Sequence, residues 1–272
     1  KYGVKATSVA PFKSNVALIE QEDGRKAIFK CVRTDANASL IDRFRFRNEI
    51  RIYKVFQKSN FDFLHIPKLF SAGKDYILIE FVERDESKNV TEKDFVRGYY
   101  EFQNMHIPGS LKFDLFNQLT RGVWYRGIVV PILSLSKHVG FRKSLQAVAL
   151  FLKLHLQTKR YKKKYWLHGD VAVRNMYYQQ QTNDLFFIDF ENVYFTRKWP
   201  LLEIIQRCFC YGGGAVKSFS FELDSLNHYL LQAKEHDNLE LSNSNLFNQF
   251  RLSLFLSTIS RIVRPKSKDK ST

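Results

Sequence analysis

The sequence predicts an α+β fold with two parts, a small antiparallel sheet that carries one helix and a larger, mainly helical region. Two short apolar runs, at residues 16–19 and 27–30, flank the turn signal Glu22-Asp23-Gly24 and predict a β-hairpin. From about residue 83 onward, apolar residues recur mostly at helical spacing. The charged stretch 83–88 separates the two patterns, so we place one region at 1–82 and the other at 83–272.

The first region continues after the hairpin with one helix and two strands. A helix is predicted at 38–57, because one of its faces is made of Phe46, Glu49, Ile50, Tyr53 and Phe56. Strands are predicted at 66–70 and 76–82, with a turn between them.

The second region contains helices with short strands between them. Helices are predicted at 91–106 and 141–157, and the latter has one apolar face of Leu145, Val148, Ala149, Leu152 and Leu156. Short strands are predicted at 165–167, 176–178 and 185–188. From Leu201 the chain is expected to be mostly helical, with a break at Gly212-Gly213-Gly214.

The charge of the chain is its unusual property. The 272 residues include 43 Lys and Arg against 27 Asp and Glu, a net charge of +16, which excludes an acidic disordered protein and favours a polyanionic partner. Uncharged stretches such as 127–136 and 252–260 are shorter than the roughly 20 apolar residues of a spanning helix. The start of the chain shows no signal peptide, and its three cysteines fit neither a disulfide framework nor a zinc site. We therefore expect a cytoplasmic protein, with peripheral contact at the inner face of a membrane as an option.

Four features with chemical meaning occur in order along the chain. Lys30 ends the second hairpin strand, and Glu49 lies within the apolar helical face, where a carboxylate is costly unless it meets a cation. Asp170 and Asn175 belong to His168-Gly169-Asp170-Val171-Ala172-Val173-Arg174-Asn175, and Asp189 closes a strand. A lysine, an aspartate that faces a hydroxyl, and two oxygen ligands for Mg²⁺ are what phosphoryl transfer requires.

This ordered set resembles the protein-kinase-like superfamily. Gly169 stands where protein kinases usually carry Arg, which is similar to the branch of aminoglycoside phosphotransferases, choline kinases and bacterial sugar or lipopolysaccharide-core kinases. The resemblance covers about residues 16–203 and implies a two-lobed protein-kinase-like fold, with a small antiparallel-sheet N-lobe and a larger helical C-lobe. It also implies a kinase that uses ATP and Mg²⁺, with Mn²⁺ as an alternative ion.

The resemblance assigns a role to each residue of the motif. Lys30 would contact the α- and β-phosphates and Glu49 would hold it, while Asp170 would be the catalytic base. Asn175 and Asp189 would bind the metal ion, and Arg174 would either position substrate or pair with a neighbouring acid. The backbone of four residues would form the hinge that receives adenine: Glu80, Phe81, Val82 and Glu83.

Departures from the protein-kinase pattern bear on the substrate. The loop expected over the phosphates, 10–14, contains no glycine, and Phe190-Glu191 follows Asp189. Only about ten residues separate Asp189 from the helical pattern at 200–206, which leaves little room for docking a peptide. Residues 170–175 nevertheless resemble the D-L-A-A-R-N loop of tyrosine kinases, so a protein kinase is an alternative, and a pseudokinase binding module is another.

The basic segments favour an anionic acceptor. They include 159–164 and the tail, and the simpler interpretation of each is a run of charges in contact with solvent. A nucleic-acid partner is disfavoured, because no nucleic-acid recognition motif accompanies the charge. Residues 124–133 and their basic neighbours fit either a membrane contact or a buried helix. Our preferred acceptor is a sugar hydroxyl of an anionic cell-envelope glycan or glycolipid. We expect His168 and Glu203 to be structural and Glu191 to be a solvated loop acid.

Overall fold

The computed structural model describes residues 7–13, 15–22, 24–32, 40–108, 122–158, 160–170, 175–210, 219–237 and 243–263. Several residues of the sequence argument lie outside these ranges: Ser14, Arg121, Lys159, Arg174, the glycine break at 212–214 and the tail from 264.

The described chain divides into two compact units. The first unit comprises residues 1–112 and 170–193, and the second comprises 113–169 and 194–272. This division follows packing, whereas the boundary expected after residue 82 concerns the lobes of a kinase-like fold and stays a prediction.

A five-stranded antiparallel sheet opens the first unit. In the described ranges its order is β1-β2-β3-β6-β5, with β1 at Ser8–Lys13, β2 at Val16–Glu20, β3 at Lys26–Cys31, β5 at Leu69–Ala72 and β6 at Tyr76–Glu80. Gly24 has φ +78° in the turn between β2 and β3, a conformation that glycine adopts without strain. The predicted hairpin is confirmed, and the strand predicted at 76–82 is observed as β6. The strand predicted at 66–70 is displaced, since β5 begins only at Leu69, and β1 is an edge strand where a loop was expected.

Helix α1, Leu40–Phe56, packs its apolar stripe inward as predicted. Phe46, Ile50, Tyr53 and Phe56 are buried, and so is Glu49 between them. The rings of Tyr53 and Phe56 meet the edge of Phe190 at centroid distances of 5.2 and 5.1 Å. These contacts hold α1 against the segment that follows Asp189.

The rest of the first unit surrounds this aromatic cluster. Helix α2, Glu92–Asn104, begins at Thr91, whose side chain accepts a hydrogen bond from the Asp94 N–H. In the described part, β4 (Leu64–His65), β9 (Leu185–Phe187) and β8 (Met176–Tyr178) form a small mixed sheet in that order. β4 pairs with β9 in parallel, and β8 pairs with β9 antiparallel.

The second unit is mainly helical. A helical segment spans Gly122–Trp124, the π-helical turns Tyr125–Val129 and Pro131–Leu135, and Ser136–Val139. The long helices are α3 (Phe141–Gln157), α4 (Leu202–Cys210), α5 (Phe219–Asp237) and α6 (Asn243–Val263), and strands β7 (Tyr165–Leu167) and β10 (Tyr194–Thr196) pair antiparallel. Its core contains Val123, Phe151, Leu154, Leu167, Tyr194, Trp199, Leu202, Leu252 and Leu256.

Helix α3 occupies the predicted residues, but the apolar stripe that predicts it is not its buried face. Leu145, Leu152 and Leu156 are exposed, whereas Ser144, Phe151 and Leu154 are buried. The pattern therefore predicted the helix correctly without indicating which side packs. Of the helices described, none is long and apolar enough to cross a membrane.

Candidate functional site

A cavity of about 660 Å³ lies within the first unit. Its walls come from β2, β3, the end of β6, α1 and the segment after β9. Among the lining residues are Val16, Ile28, Lys30, Glu49, Tyr53, Ile79, Glu80, Phe81, Val82, Tyr177, Ile188, Asp189 and Glu191. One part of this wall is apolar, and the other part is charged, with Lys30 among several carboxylates.

An ion pair between β3 and α1 forms the charged part. The Nζ atom of Lys30 donates to Oε1 of Glu49 at 2.8 Å, and the Glu49 side chain is only 2% exposed. Burial by itself would lower the pKa of Lys30, but attraction to Glu49, with smaller contributions from Tyr53 and Asp189, outweighs burial and raises the pKa above its ordinary value. Lys30 is therefore a permanently charged ammonium group at the cavity wall.

Asp189 lies on the other side of the same lysine. Its Oδ1 atom is 3.6 Å from Lys30 Nζ, and its backbone has φ +67°, in the left-handed region. Such a conformation is uncommon outside glycine, although Asp and Asn tolerate it best. The neighbouring Ile188 N–H donates to the carbonyl of Asn175 at 2.9 Å, which ties the Asp189 turn to the loop before β8. The structure thus brings Lys30, Glu49 and Asp189 together.

Asp170 and Asn175 are linked to each other by a hydrogen bond. The Nδ2 atom of Asn175 donates to the backbone carbonyl of Asp170 at 2.9 Å, and Asn175 is buried. With Nδ2 used in this way, Oδ1 is the atom available for a cation. Neither residue is among those that line the cavity, and Arg174, the remaining predicted catalytic residue, lies outside the described ranges.

The oxygen donors fit a hard divalent cation. Asp189 offers a carboxylate and Asn175 an amide oxygen, the ligand types that Mg²⁺ prefers when phosphate oxygens complete its shell. In the described ranges no group of three or more His, Cys, Asp or Glu side chains could hold a metal by itself.

Glu203 anchors the backbone that leads to Asp170. In the second unit, its Oε2 atom accepts from the His168 N–H at 2.7 Å and its Oε1 atom from the Gly169 N–H at 2.5 Å, and the side chain is buried. Gly169 has φ +81°, which explains a glycine at this position. The structural role expected of Glu203 is therefore to fix the backbone at His168 and Gly169. The sequence contains a signal for a buried Glu203, because this acid stands between the apolar residues Leu202 and Ile204, as Glu49 stands within the apolar stripe of α1.

The predicted hinge forms another wall of the cavity. Glu80, Phe81 and Val82 line it, whereas Glu83 is exposed and is not a lining residue. Val82 is 5% exposed, and its N–H forms no hydrogen bond with any described residue. The hydroxyl of Tyr177 donates to the Val82 carbonyl at 3.3 Å and so links β8 to the predicted hinge.

Two further residues of the cavity were not assigned from the sequence. Tyr53 is fully buried, and its hydroxyl has no hydrogen-bond partner among the described residues. Burial raises the pKa of Tyr53, so the hydroxyl remains a donor. Glu191 lines the cavity and is half-buried, so the expectation of a solvated loop acid was wrong. Its pKa is raised by burial and by the neighbouring charge of Asp189.

Comparisons with known proteins identify the fold. No protein-family model matches the sequence, and no curated protein matches it either. Among solved structures, an ethanolamine kinase of Plasmodium vivax matches with a TM-score of 0.61 at 13% identity, over 96% of this chain and 78% of that one. The amicoumacin kinase hAmiN, in complex with AMP-PNP, Ca²⁺ and Ami, matches with a TM-score of 0.58 at 14% identity, over 98% and 86%. The streptomycin–ATP–APH(2″)-IIa ternary complex matches with a TM-score of 0.56 at 13% identity, over 96% and 92%.

The fold is protein-kinase-like. The solved structures that it resembles include kinases and phosphotransferases, and this likeness confirms the predicted α+β fold class and the predicted resemblance in fold. Within the kinase-like fold, the glycine-free stretch expected to cover phosphates is mostly strand, because residues 10–13 belong to β1. Helix α4 begins at Leu202, so the segment after Asp189 is short, as expected.

Proposed function

We propose that this protein is an ATP- and metal-dependent phosphotransferase that moves the γ-phosphate of ATP to a hydroxyl group. The observation that carries the proposal is the Lys30 ammonium group, which is held at 2.8 Å from Glu49 and 3.6 Å from Asp189 on the wall of one cavity. A cation fixed beside a metal-binding carboxylate is what a triphosphate requires. Phosphoryl transfer is catalysed mainly by positioning and charge neutralisation.

The nucleotide would bind across the two parts of the cavity. The N–H of buried Val82, which forms no hydrogen bond with a described residue, would donate to the adenine ring, since leaving such a donor unsatisfied is costly. Val16, Ile28 and Ile188 supply apolar surface for the faces of the ring. The phosphates would then extend toward Lys30, whose charge Glu49 maintains.

The remaining residues would act on the metal ion and the acceptor. Asn175 and Asp189 would hold Mg²⁺ or Mn²⁺, which supplies charge neutralisation at the phosphate oxygens when bound. The Asp170 carboxylate would orient the acceptor hydroxyl and receive its proton. Glu203 would fix the backbone directly before Asp170 through its two hydrogen bonds.

The acceptor that we propose is a sugar hydroxyl of an anionic cell-envelope glycan or glycolipid. The short segment after Asp189 provides little surface for a peptide, and the net charge of +16 favours an acceptor that already carries negative charge. The similar structures include an ethanolamine kinase, an amicoumacin kinase and a streptomycin complex, which supports a non-protein acceptor as the broader class.

Substitution of Asp170 by Asn tests the proposed reaction. We expect phosphate transfer to fall at least about 100-fold, because a general base is lost, while the thermal shift produced by ATP and Mg²⁺ persists. The matched control is Asp184→Asn, the same change at a turn residue of the same unit whose side chain is 41% exposed, which should leave transfer unchanged. Transfer that is equal in Asp170→Asn and wild type would refute the assignment.

Radiolabelled ATP identifies the acceptor class. The wild-type protein is incubated with envelope glycan and glycolipid fractions and, separately, with a peptide library. We expect label in the glycan or glycolipid fraction. Label confined to peptides would replace this acceptor by a protein, and the absence of both ATP turnover and ATP-induced stabilisation would indicate a binding module without chemistry.

A further inference from the structure

Helix α3 carries a second apolar stripe that faces outward. Phe141, Leu145, Leu152 and Leu156 lie within an arc of about 60° at 100° per residue, and the stripe is about 22 Å long. All four side chains are exposed, Phe141 at 61% and Leu156 at 78%. Contiguous exposed apolar surface of this kind marks an interaction site in soluble domains.

The core of the second unit does not need this stripe. The opposite side of α3 already packs inward, with Ser144, Phe151 and Leu154 buried. The preceding helical segment packs against α3 and adds Leu133, which is also exposed. The apolar surface therefore continues beyond a single helix.

The charge around the stripe has one sign. Between Asp114 and Asp170 the sequence contains eleven Lys or Arg residues and no Asp or Glu. Three of these cations, Arg142, Lys143 and Lys153, are exposed on α3 itself, and none forms an ion pair with a described residue. On the helical wheel, Arg142 and Lys153 lie within about 60° of the edge of the apolar stripe, on the side away from the core, whereas Lys143 lies beside the buried Leu154. This is the arrangement of a helix that lies in a membrane interface.

We propose that this face of α3 docks on an anionic lipid surface. The apolar stripe would enter the boundary between headgroups and acyl chains, while Arg142 and Lys153 at its edge would contact the anionic headgroups. The charge distribution disfavours a second copy of the chain as the occupant, because an isologous contact would bring identical basic surfaces together without an acid to pair them. The proposal does not depend on the phosphotransferase assignment.

Vesicle sedimentation with the full chain tests the docking surface. The vesicles contain phosphatidylcholine alone or a 7:3 mixture of phosphatidylcholine and phosphatidylglycerol. We expect binding to the mixed vesicles and little binding to the neutral ones. Neutralising the two cations beside the stripe in Arg142→Gln/Lys153→Gln should weaken binding about 25-fold, at about fivefold for each charge.

The apolar contribution is tested separately. Leu145→Gln/Leu152→Gln/Leu156→Gln should weaken binding to the mixed vesicles at least about tenfold. The matched control is Leu231→Gln on α5, a helix with four acidic residues, where the leucine is 56% exposed and binding should not change. If the triple variant does not fold, the single variant Leu156→Gln, at the most exposed position of the stripe, replaces it.

Three results would overturn the proposal. Wild-type protein that stays in solution with the mixed vesicles would do so, as would equal binding to neutral and mixed vesicles. A dimer in light scattering that the triple leucine variant converts to a monomer would assign the face to a second copy instead.

Discussion

Replacement of Glu203 by Gln removes one of the two backbone anchors before Asp170. Both carboxylate oxygens of buried Glu203 accept hydrogen bonds, from the N–H groups of His168 and Gly169. Gln can supply one acceptor oxygen, and its NH₂ group would face the other backbone N–H. One of the two donors is then left buried without an acceptor.

The size of the effect follows from these two bonds. A hydrogen bond to a charged group contributes about 1.5–3 kcal/mol, and an unsatisfied buried donor costs about 1–3 kcal/mol. We therefore expect Glu203→Gln to lower the free energy of unfolding by about 2–4 kcal/mol, a large part of the 5–15 kcal/mol that is typical of a domain. Because Asp170 directly follows Gly169, the folded variant should also lose about 10- to 100-fold in turnover.

Urea denaturation followed by tryptophan fluorescence measures the loss of stability, and turnover is measured where the variant is fully folded. The control is Glu235→Gln, which makes the same change on the exposed surface of α5 and should shift the free energy of unfolding by less than about 0.5 kcal/mol. If Glu203→Gln falls within the same limit and retains wild-type turnover, Glu203 does not anchor the loop.

Three further predictions concern buried polar groups. Glu49→Gln should lower the free energy of unfolding by about 3 kcal/mol, because it leaves the Lys30 charge without its main partner. The double variant Lys30→Met/Glu49→Leu removes both charges and should be less destabilised than Glu49→Gln. A double variant that is less stable than Glu49→Gln would contradict this reasoning. Tyr53→Phe should leave the free energy of unfolding of the unliganded protein unchanged or raise it by about 1 kcal/mol, since the lost hydroxyl has no hydrogen-bond partner among the described residues. A clearly lower free energy of unfolding in urea denaturation would count against this prediction. His155 has a pKa lowered to about 4 by burial and by the charge of Lys198, so its stabilising contribution is complete above pH 6.5 and is lost as the pH falls toward 4. Because His155 is partly exposed, we expect this pH-dependent contribution to the free energy of unfolding to be about 1–2 kcal/mol. His155→Leu should remove that part of the pH dependence, and an identical pH profile of unfolding in variant and wild type would show that another group is responsible.

The sequence predicted local elements well and non-local pairing poorly. The hairpin, α1, α2 and α3 follow from apolar periodicity and turn residues within windows of a few turns. β1 was missed because Pro11 cannot donate a ladder hydrogen bond, and the strand tolerates it only at the sheet edge, with an irregular register between Pro11 and Lys13. The parallel pairing of Leu64 with Leu185 joins residues far apart in sequence, and no local pattern indicates it.

The candidate site shows the same limit. A carboxylate within an apolar stripe requires a cation, and this single argument predicted the contact between Glu49 and Lys30. The same reasoning applied to Glu203 would have found a buried acid, but not its partners. These partners are backbone N–H groups more than thirty residues away, and side-chain chemistry gives no indication of them.

Helix α3 shows why periodicity cannot tell the inner face from the outer one. Small residues occur where α3 packs closely against the segment that precedes it. A Cβ atom on Gly127 of that segment would lie 2.3 Å from Phe151 of α3, so the two can approach only without a side chain at position 127. Ser144 is buried on the same face, with its hydroxyl donating to the Gly140 carbonyl. The larger residues Phe141, Leu145 and Leu156 remain outside, so the face with the stronger apolar pattern is the exposed one. Solubility alone would favour polar residues at those positions, and their presence beside unpaired cations is what a lipid surface would require.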